Sequence, residues 1–295
     1  MDSHNMEFAL FGALISALGF GLANIVIKKS LSTASIPQVL LNSMVSGSVF
    51  LFILVLINGF PRDTSFNLFF TLALFAIGET CLYLSLYKAF EKADVTVAAG
   101  VISIYPIFST IFTVLFFNEK ITLLKVFFTL LMVIGVILIS IDWTSIKTSK
   151  FGYNSFTKGL PWAILCLLIH SLYFPALGNL TSSGDWQFKL LGIKIFAIIF
   201  IFLIFVVFKK TKFEFTRNRL IAGALLGFLE IMGWVGLSFA SSNTTGMIAI
   251  IIALGSSAPL ITAIVAKYYL KENLHKMQYF GIVTVIVGLY LIAVV

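Results

Sequence analysis

One stretch of this chain, Glu79 to Ile139, occurs twice. The first copy reads ETCLYLSLYKAF and, further on, YPIFSTIFTVLFFNEKITLLKVFFTLLMVIGVILI. The second reads EIMGWVGLSFAS and then APLITAIVAKYYLKENLHKMQYFGIVTVIVGLYLI. Glu79 aligns with Glu230, Tyr83 with Trp234 and Ala89 with Ala240 at an offset of 151. After a two-residue gap, Pro106 aligns with Pro259, Glu119 with Glu272, Phe127 with Phe280 and Gly135 with Gly288 at an offset of 153. Distant internal similarity in an apolar chain is the mark of a membrane fold assembled from two structural repeats, the plan of many transporters.

The chain is 60% apolar and only 11% charged, against about 25% charged in ordinary soluble domains. Its apolar runs each approach the roughly 20 residues that cross a bilayer core. A net charge of +8 would suit nucleic acid, but the basic residues are scattered between apolar runs, which fits loops held at an anionic membrane surface. No nucleic-acid partner is expected. The two cysteines, Cys81 and Cys166, fall inside apolar runs and read as small buried hydrophobes. The N-terminal MDSHNME has no basic residue and the run after it is too long for a signal-peptide core, so a retained first span is expected.

Ten spans are expected, near residues 7–29, 37–58, 67–90, 95–117, 122–141, 159–180, 188–208, 219–241, 246–269 and 276–294. They must be helices, because hydrocarbon offers no partner for unpaired backbone groups and the alternation of a membrane barrel is absent. The fold class is therefore an all-α membrane protein of ten transmembrane helices in two inverted five-helix repeats. The first repeat covers 1–145 and the second 159–295, with the polar segment 146–158 as linker. An odd number of helices per repeat inverts the second repeat and puts both termini on one face. With cytoplasmic termini, the cytoplasmic connections would hold only Arg62, Lys120, Lys125, Lys189 and Lys194 of the twenty basic residues. The cluster Lys209, Lys210, Lys212, Arg217 and Arg219 would lie outside, so the positive-inside rule favours external termini.

Glu79 and Glu230 lie near the middle of the third and eighth spans. A charge at the bilayer centre costs roughly 2.5–3.5 kcal/mol on insertion scales, so neither acid is expected to face lipid. Substrate or proton handling and structural hydrogen bonding are the two readings of such a pair. Tyr83 and Trp234 follow their acids by four residues and share a helix face with them, and a carboxylate beside an aromatic face suits an ammonium group. His170 stands mid-span in the sixth helix with Tyr173 and Pro175 after it, and reads as a proton relay or as a polar contact between helices. Asn24 is buried in the first span on the same terms. Pro106 and Pro259 fall mid-span in the fourth and ninth helices, where each is expected to remove a hydrogen bond and bend its helix as a hinge. There is no phosphate-binding glycine loop, no zinc-ligand spacing and no HExxH, so no cofactor, metal or enzymatic activity is expected.

The paired P-x12-E motifs (Pro106 to Glu119, Pro259 to Glu272), each followed by a span with a central glycine, resemble the EamA family of the drug/metabolite transporter superfamily. The end of the first span, FGLANIVIKKSL, is similar to the family's aromatic-Gly…Lys pattern, with Phe20–Gly21 where tryptophan commonly precedes the glycine. The resemblance implies ATP-independent movement of small metabolites across the cell membrane by alternating access. It also implies a central cavity between spans 1, 3, 4, 6, 8 and 9, which puts Asn24, Glu79, Tyr83, Tyr105, His170, Tyr173, Glu230 and Trp234 on candidate cavity faces. Cytoplasmic termini are implied too, against the charge count. The expected function is secondary-active transport of small polar metabolites, amine-bearing compounds favoured, with protons as a coupling ion. A carrier of anionic or nucleoside-like metabolites and a non-transporting scaffold or receptor are the alternatives.

Overall fold

The computed structural model describes residues 3–61, 64–92, 98, 101–141, 153–209, 211–269 and 275–294. The helices are α1 (Ser3–Leu31), α2 (Ile36–Asn58), α3 (Phe66–Lys92), α4 (Tyr105–Phe117), α5 (Leu123–Ser140), α6 (Tyr153–Ser182), α7 (Trp186–Ile201), α8 (Arg217–Ser242), α9 (Ile248–Gly255), α10 (Ala258–Tyr269) and α11 (Lys276–Val294). A π-helical stretch, Phe202–Phe208, continues α7. Among the described residues, seven stretches are long and apolar enough to cross a membrane, α9 and α10 together forming one of them, and α4, α5 and α11 are shorter apolar helices. Large apolar side chains such as Phe66, Leu123, Phe208 and Ile57 point outward, a surface suited to lipid and not to water. The chain is an integral, multi-pass, all-helical membrane protein.

Local chemistry sets the helix ends. Asn118 in the left-handed region (φ 53°) stops α4, and the Thr122 hydroxyl then caps α5 by accepting from the Lys125 amide. Gly59 (φ 89°) ends α2. Between α6 and α7 the turn uses Gly184 (φ 88°) and Asp185 (φ 45°). The buried Lys189 ammonium folds back there to donate to the Leu180 and Gly184 carbonyls and the Ser183 hydroxyl at 2.7–2.9 Å, neutralising the carboxyl end of α6. Helix α6 begins at Tyr153, inside the segment expected as linker; the remaining linker residues, 146–152, lie outside the described ones.

The repeats interlock. Helix α1 packs on α8, and its repeat-mate α6 packs on α3; α2 packs on α8 as α7 packs on α3; α1 meets α10 as α6 meets α4. Each pairing in one half thus has its counterpart in the other, a pseudo-two-fold arrangement whose centre lies between α3 and α8. At Gly12 and Gly236 the α1 and α8 backbones touch, and a Cβ on either glycine would strike the other helix. Gly135 and Gly281 do the same for α5 and α11, where added Cβ atoms would lie 2.9 and 2.7 Å from the opposing carbonyl oxygens.

The expectations for Pro106, Pro259 and Lys194 change. Pro106 and Pro259 do not bend continuous helices. Each is the second residue of a new helix, α4 or α10, after a turn at Ser103–Ile104 or Ser256–Ser257. At the start of a helix a proline forfeits no internal hydrogen bond, so it marks a break between two segments and not a strained bend. Pro175, by contrast, does interrupt a helix. The Ser171 carbonyl it frees accepts instead from the Ser109 hydroxyl of α4 at 3.2 Å. Third, Lys194 is not a connection residue: it sits mid-helix in α7, 2% exposed. Lys189 is likewise consumed by its helix cap.

The placements of Lys194 and Lys189 sharpen the charge asymmetry between the faces, since two of the five lysines and arginines expected opposite the Lys209–Arg219 cluster no longer act as loop charges. A cysteine at Thr216 is therefore expected to be shielded from an impermeant thiol reagent in intact cells, and one at Asp2 to be labelled. The reverse pattern would place both termini in the cytoplasm.

Candidate functional site

At the pseudo-two-fold centre, repeat-mates Tyr83 and Trp234 touch: the indole N–H donates to the Tyr83 hydroxyl at 2.9 Å. Helix spacing delivers them there, one turn beyond Glu79 on α3 and Glu230 on α8. Behind this pair lies a dry charged network. The Lys194 ammonium donates to Glu79 Oε1 at 2.6 Å, with both side chains 2% exposed. The same ammonium lies 5.1 Å from the Tyr83 ring centroid and 5.9 Å from that of Trp234, and 3.4 Å from the Met44 sulfur. Glu230 is held differently. Its Oε1 accepts from the Tyr87 hydroxyl at 2.8 Å, and the Ser43 hydroxyl stands beside it. Glu79 Oε2 and the Tyr173 and Ser238 hydroxyls are buried without a hydrogen-bond partner among the described residues.

On the other face of Tyr83 and Trp234 is a cavity of about 100 Å³. Phe20 and Asn24 of α1, Tyr83 and Phe90 of α3, Tyr105 of α4, His170 and Phe174 of α6, Trp234 of α8, and the α9–α10 break at Gly255, Ser256, Ala258 and Pro259 all contribute to its wall. The rings interlock at steep angles. Phe20 meets Trp234 at 5.1 Å, Phe174 meets Trp234 at 5.0 Å, and Tyr105 meets Phe174 at 5.2 Å. His170 stacks on Phe174, and its Nδ1 lies 2.8 Å from the Cys166 carbonyl. A carbonyl only accepts, so Nδ1 carries the proton and, in the neutral ring, Nε2 remains as an acceptor. The Asn24 amide donates to Thr262 Oγ1 at 3.4 Å, which leaves its carbonyl oxygen available.

The expected site residues thus divide into two groups. Asn24, Tyr83, Tyr105, His170 and Trp234 share the cavity wall. Glu79 and Glu230 are buried behind it, and Tyr173 packs between Phe75 and Trp234, with its hydroxyl turned towards the acids' side. The ammonium that the Glu79–Tyr83 spacing suits is present already, supplied by Lys194. Sequence reasoning missed this residue because a lysine eight positions into an apolar run reads as a helix end. Its signal was the alignment itself: at offset 151 Lys194 matches Ser43, far from either end of α2. Phe20 and Phe174 were missed because aromatics abound in the chain.

Glu119, half of the paired motif, has a defined structural role. Its two carboxylate oxygens accept the Ile248 and Ala249 amides, the latter at 3.0 Å, and so cap the buried N-terminus of α9. That fixes the segment leading to the cavity-lining break. Glu272 lies outside the described residues. Among the described residues, no three histidine, cysteine or acidic side chains group as a metal site.

A many-helix membrane fold with matched halves and a central aromatic cavity defines the class of multi-pass carrier-like proteins. The family profile described as the EamA-like transporter family matches residues 7–141 and 157–294, one match per half, and the chain belongs to that family, part of the drug/metabolite transporter superfamily. An uncharacterised transporter of Bacillus subtilis (strain 168), YyaM, is 32% identical over 112 residues, covering 38% of this chain and 34% of the relative. The chain thus matches about a third of that relative's length. A solved crystal structure superposes with a TM-score of 0.79 over 97% of both chains at 14% identity, a likeness of fold.

The ion pair makes a sharp stability test. Glu79→Gln leaves the Lys194 ammonium buried without a counter-ion and is expected to cost about 3–5 kcal/mol. Glu79→Gln combined with Lys194→Met removes both charges and is expected to recover most of that loss. Equilibrium unfolding in detergent measures both; equal losses in the single and double variants would show the two charges to be uncoupled.

Proposed function

We propose that this protein is a secondary-active transporter that carries a small metabolite with a flat, largely apolar body and few polar groups by alternating access, with protons as the coupling ion. The observation that carries the substrate reading is the cavity wall: Phe20, Tyr83, Tyr105, Phe174 and Trp234 offer ring faces and edges, while His170 Nε2 and the Asn24 carbonyl offer acceptors to a donor group on the substrate. Among the described residues of that wall, none is an acid, a lysine or an arginine. An apolar cavity of about 150 Å³ accepts a benzene ring, so this one has the scale of a single small ring. An amine bound between Glu79 and Tyr83 would have to displace Lys194, and an anionic substrate finds no lysine or arginine among the described wall residues; neither of those readings has an observation in its favour.

Proton coupling is supported by charge balance. Two buried carboxyls share one ammonium, and a dry interior tolerates one carboxylate against one cation far better than two. The second carboxyl is the group placed to gain or lose a proton. Ten crossings in two inverted repeats would let the same residues face either side in turn.

A thermal-shift screen of metabolites on purified protein tests the substrate reading. Ring compounds bearing an N–H or O–H donor are expected to stabilise, by about 2.7 kcal/mol at 100 times their dissociation constant. Phe174→Ala is then expected to weaken binding of such a hit by about 0.5–1.5 kcal/mol for the lost aromatic contact, with little change in fold. Stabilisation only by aliphatic amines, unaffected by Phe174→Ala, would overturn it.

A further inference from the structure

The charged network is symmetric in its acids and asymmetric in its cation. Glu79 and Glu230 are repeat-mates, as are Tyr83 and Trp234. Lys194 of α7 stands against Glu79, while the residue in the matching place on α2, beside Glu230, is Ser43. A single ammonium thus occupies one of two equivalent posts. Its position is close to the pseudo-symmetry centre, since its Nζ lies near both mated rings, and it is within electrostatic reach of Glu230 as well. Those rings form a path that favours a cation over their faces, and the four-carbon stem of lysine swings without any backbone movement.

We propose that Lys194 is a tethered counter-cation that passes from Glu79 to Glu230 when the protein changes the side to which its cavity opens. The proposal rests on the alternating-access reading above and adds the residue that links protonation to the switch. Inverted repeats exchange their conformations between the two states, so the surroundings of Glu79 in one state become those of Glu230 in the other. The ammonium is held on Glu79 here. In the exchanged state it belongs on Glu230, whose Tyr87 hydrogen bond it joins or replaces.

The balance closes on protons alone. When Lys194 leaves, the Glu79 carboxylate takes one proton from the aqueous side then accessible and becomes a neutral acid. Glu230, neutral while Lys194 was away, gives one proton to the other side as it receives the ammonium. Lys194 stays protonated throughout, and one proton crosses with each switch and returns with the reverse switch. The groups beside Lys194 are Glu79 and Tyr83 on α3, Trp234 on α8 and the non-titrating Met44 on α2, with Glu230 on α8 within electrostatic reach; Tyr87 and Ser43 stand beside Glu230, and Tyr173 of α6 lies near Glu79. A tyrosine among them would leave a phenolate in the interior on losing its proton, so the shuttle uses the two carboxyls for proton exchange.

The repeat alignment supplies the test. In proteoliposomes with a cysteine reporter at Ser256 (Cys81→Ala and Cys166→Ala background), the alkylation rate by an impermeant maleimide from each side is measured under an imposed pH gradient. The unaltered network is expected to shift accessibility between sides by at least tenfold when the gradient is reversed. Glu79→Gln with Lys194→Met is expected to keep the fold and abolish that shift. Lys194→Ser with Ser43→Lys, which moves the ammonium to its mate's post, is expected to restore the shift with the opposite preferred side. A wild-type gradient response in the Glu79→Gln/Lys194→Met protein would overturn the role given to Lys194 while leaving alternating access standing. Absence of any response in the unaltered network would overturn alternating access and the shuttle together. Should the exchange variant fail to insert, the Glu79→Gln/Lys194→Met result alone decides.

Discussion

A single ammonium buried between two acids is the constraint around which the centre of this protein is arranged. Lys194 and Glu79 together remove from water two ions whose desolvation costs several kcal/mol each, and their 2.6 Å contact must offset that. The surroundings contribute as well. Two aromatic faces take up part of the cation's remaining field, and the Tyr83–Trp234 hydrogen bond holds those faces in place. Helices α3, α7 and α8 converge at this point, and α2 and α6 close around them. A cheaper interior would be apolar. Retaining the pair despite its cost is what makes the network a candidate for function over mere stability.

The wall formed by Tyr83 and Trp234 has two sides with different chemistry. One side is charged and closed, and the other is aromatic, neutral and hollow. This explains how a chain can hold three ionisable groups at its centre and still present a cavity whose described wall residues include no acid, lysine or arginine. A transported molecule would feel the network through the two rings: any ligand that shifts Tyr83 or Trp234 also shifts the surface on which the Lys194 ammonium rests. Binding and the position of the cation are thereby connected through two side chains.

Much of this was legible in the sequence, and the reasons for the rest are physical. Apolar runs of span length and the matched Glu79/Glu230 and Tyr83/Trp234 pairs were visible because hydrophobicity and charge at the bilayer centre are strong, local signals. The alignment also held the seat of Lys194, but a lysine near a span's start looks like an interfacial residue until tertiary contacts reveal its depth. Pro106 and Pro259 were found at the right places with the wrong geometry. A proline signals an interruption, and only the preceding turn shows whether the helix bends or restarts. Glu119 carried no hint of its partner, because a carboxylate that caps the backbone amides of Ile248 and Ala249 reads no side chain across the gap of more than a hundred residues.

The two restarts and the Glu119 cap bear on motion. A continuous helix transmits displacement along its length, whereas a helix divided at Ser256–Ser257 leaves α9 and α10 as separate segments held by different contacts. The short α9 is wholly buried, and its amide end is tied by two charge-assisted bonds to the segment between α4 and α5. Helix α10 meets α1 through the Thr262 hydroxyl, which donates to the Gly21 carbonyl at 2.8 Å, and α9 packs on α1 as well. The break at Pro259, which lines the cavity, therefore joins a segment capped by Glu119 to one hydrogen-bonded to α1.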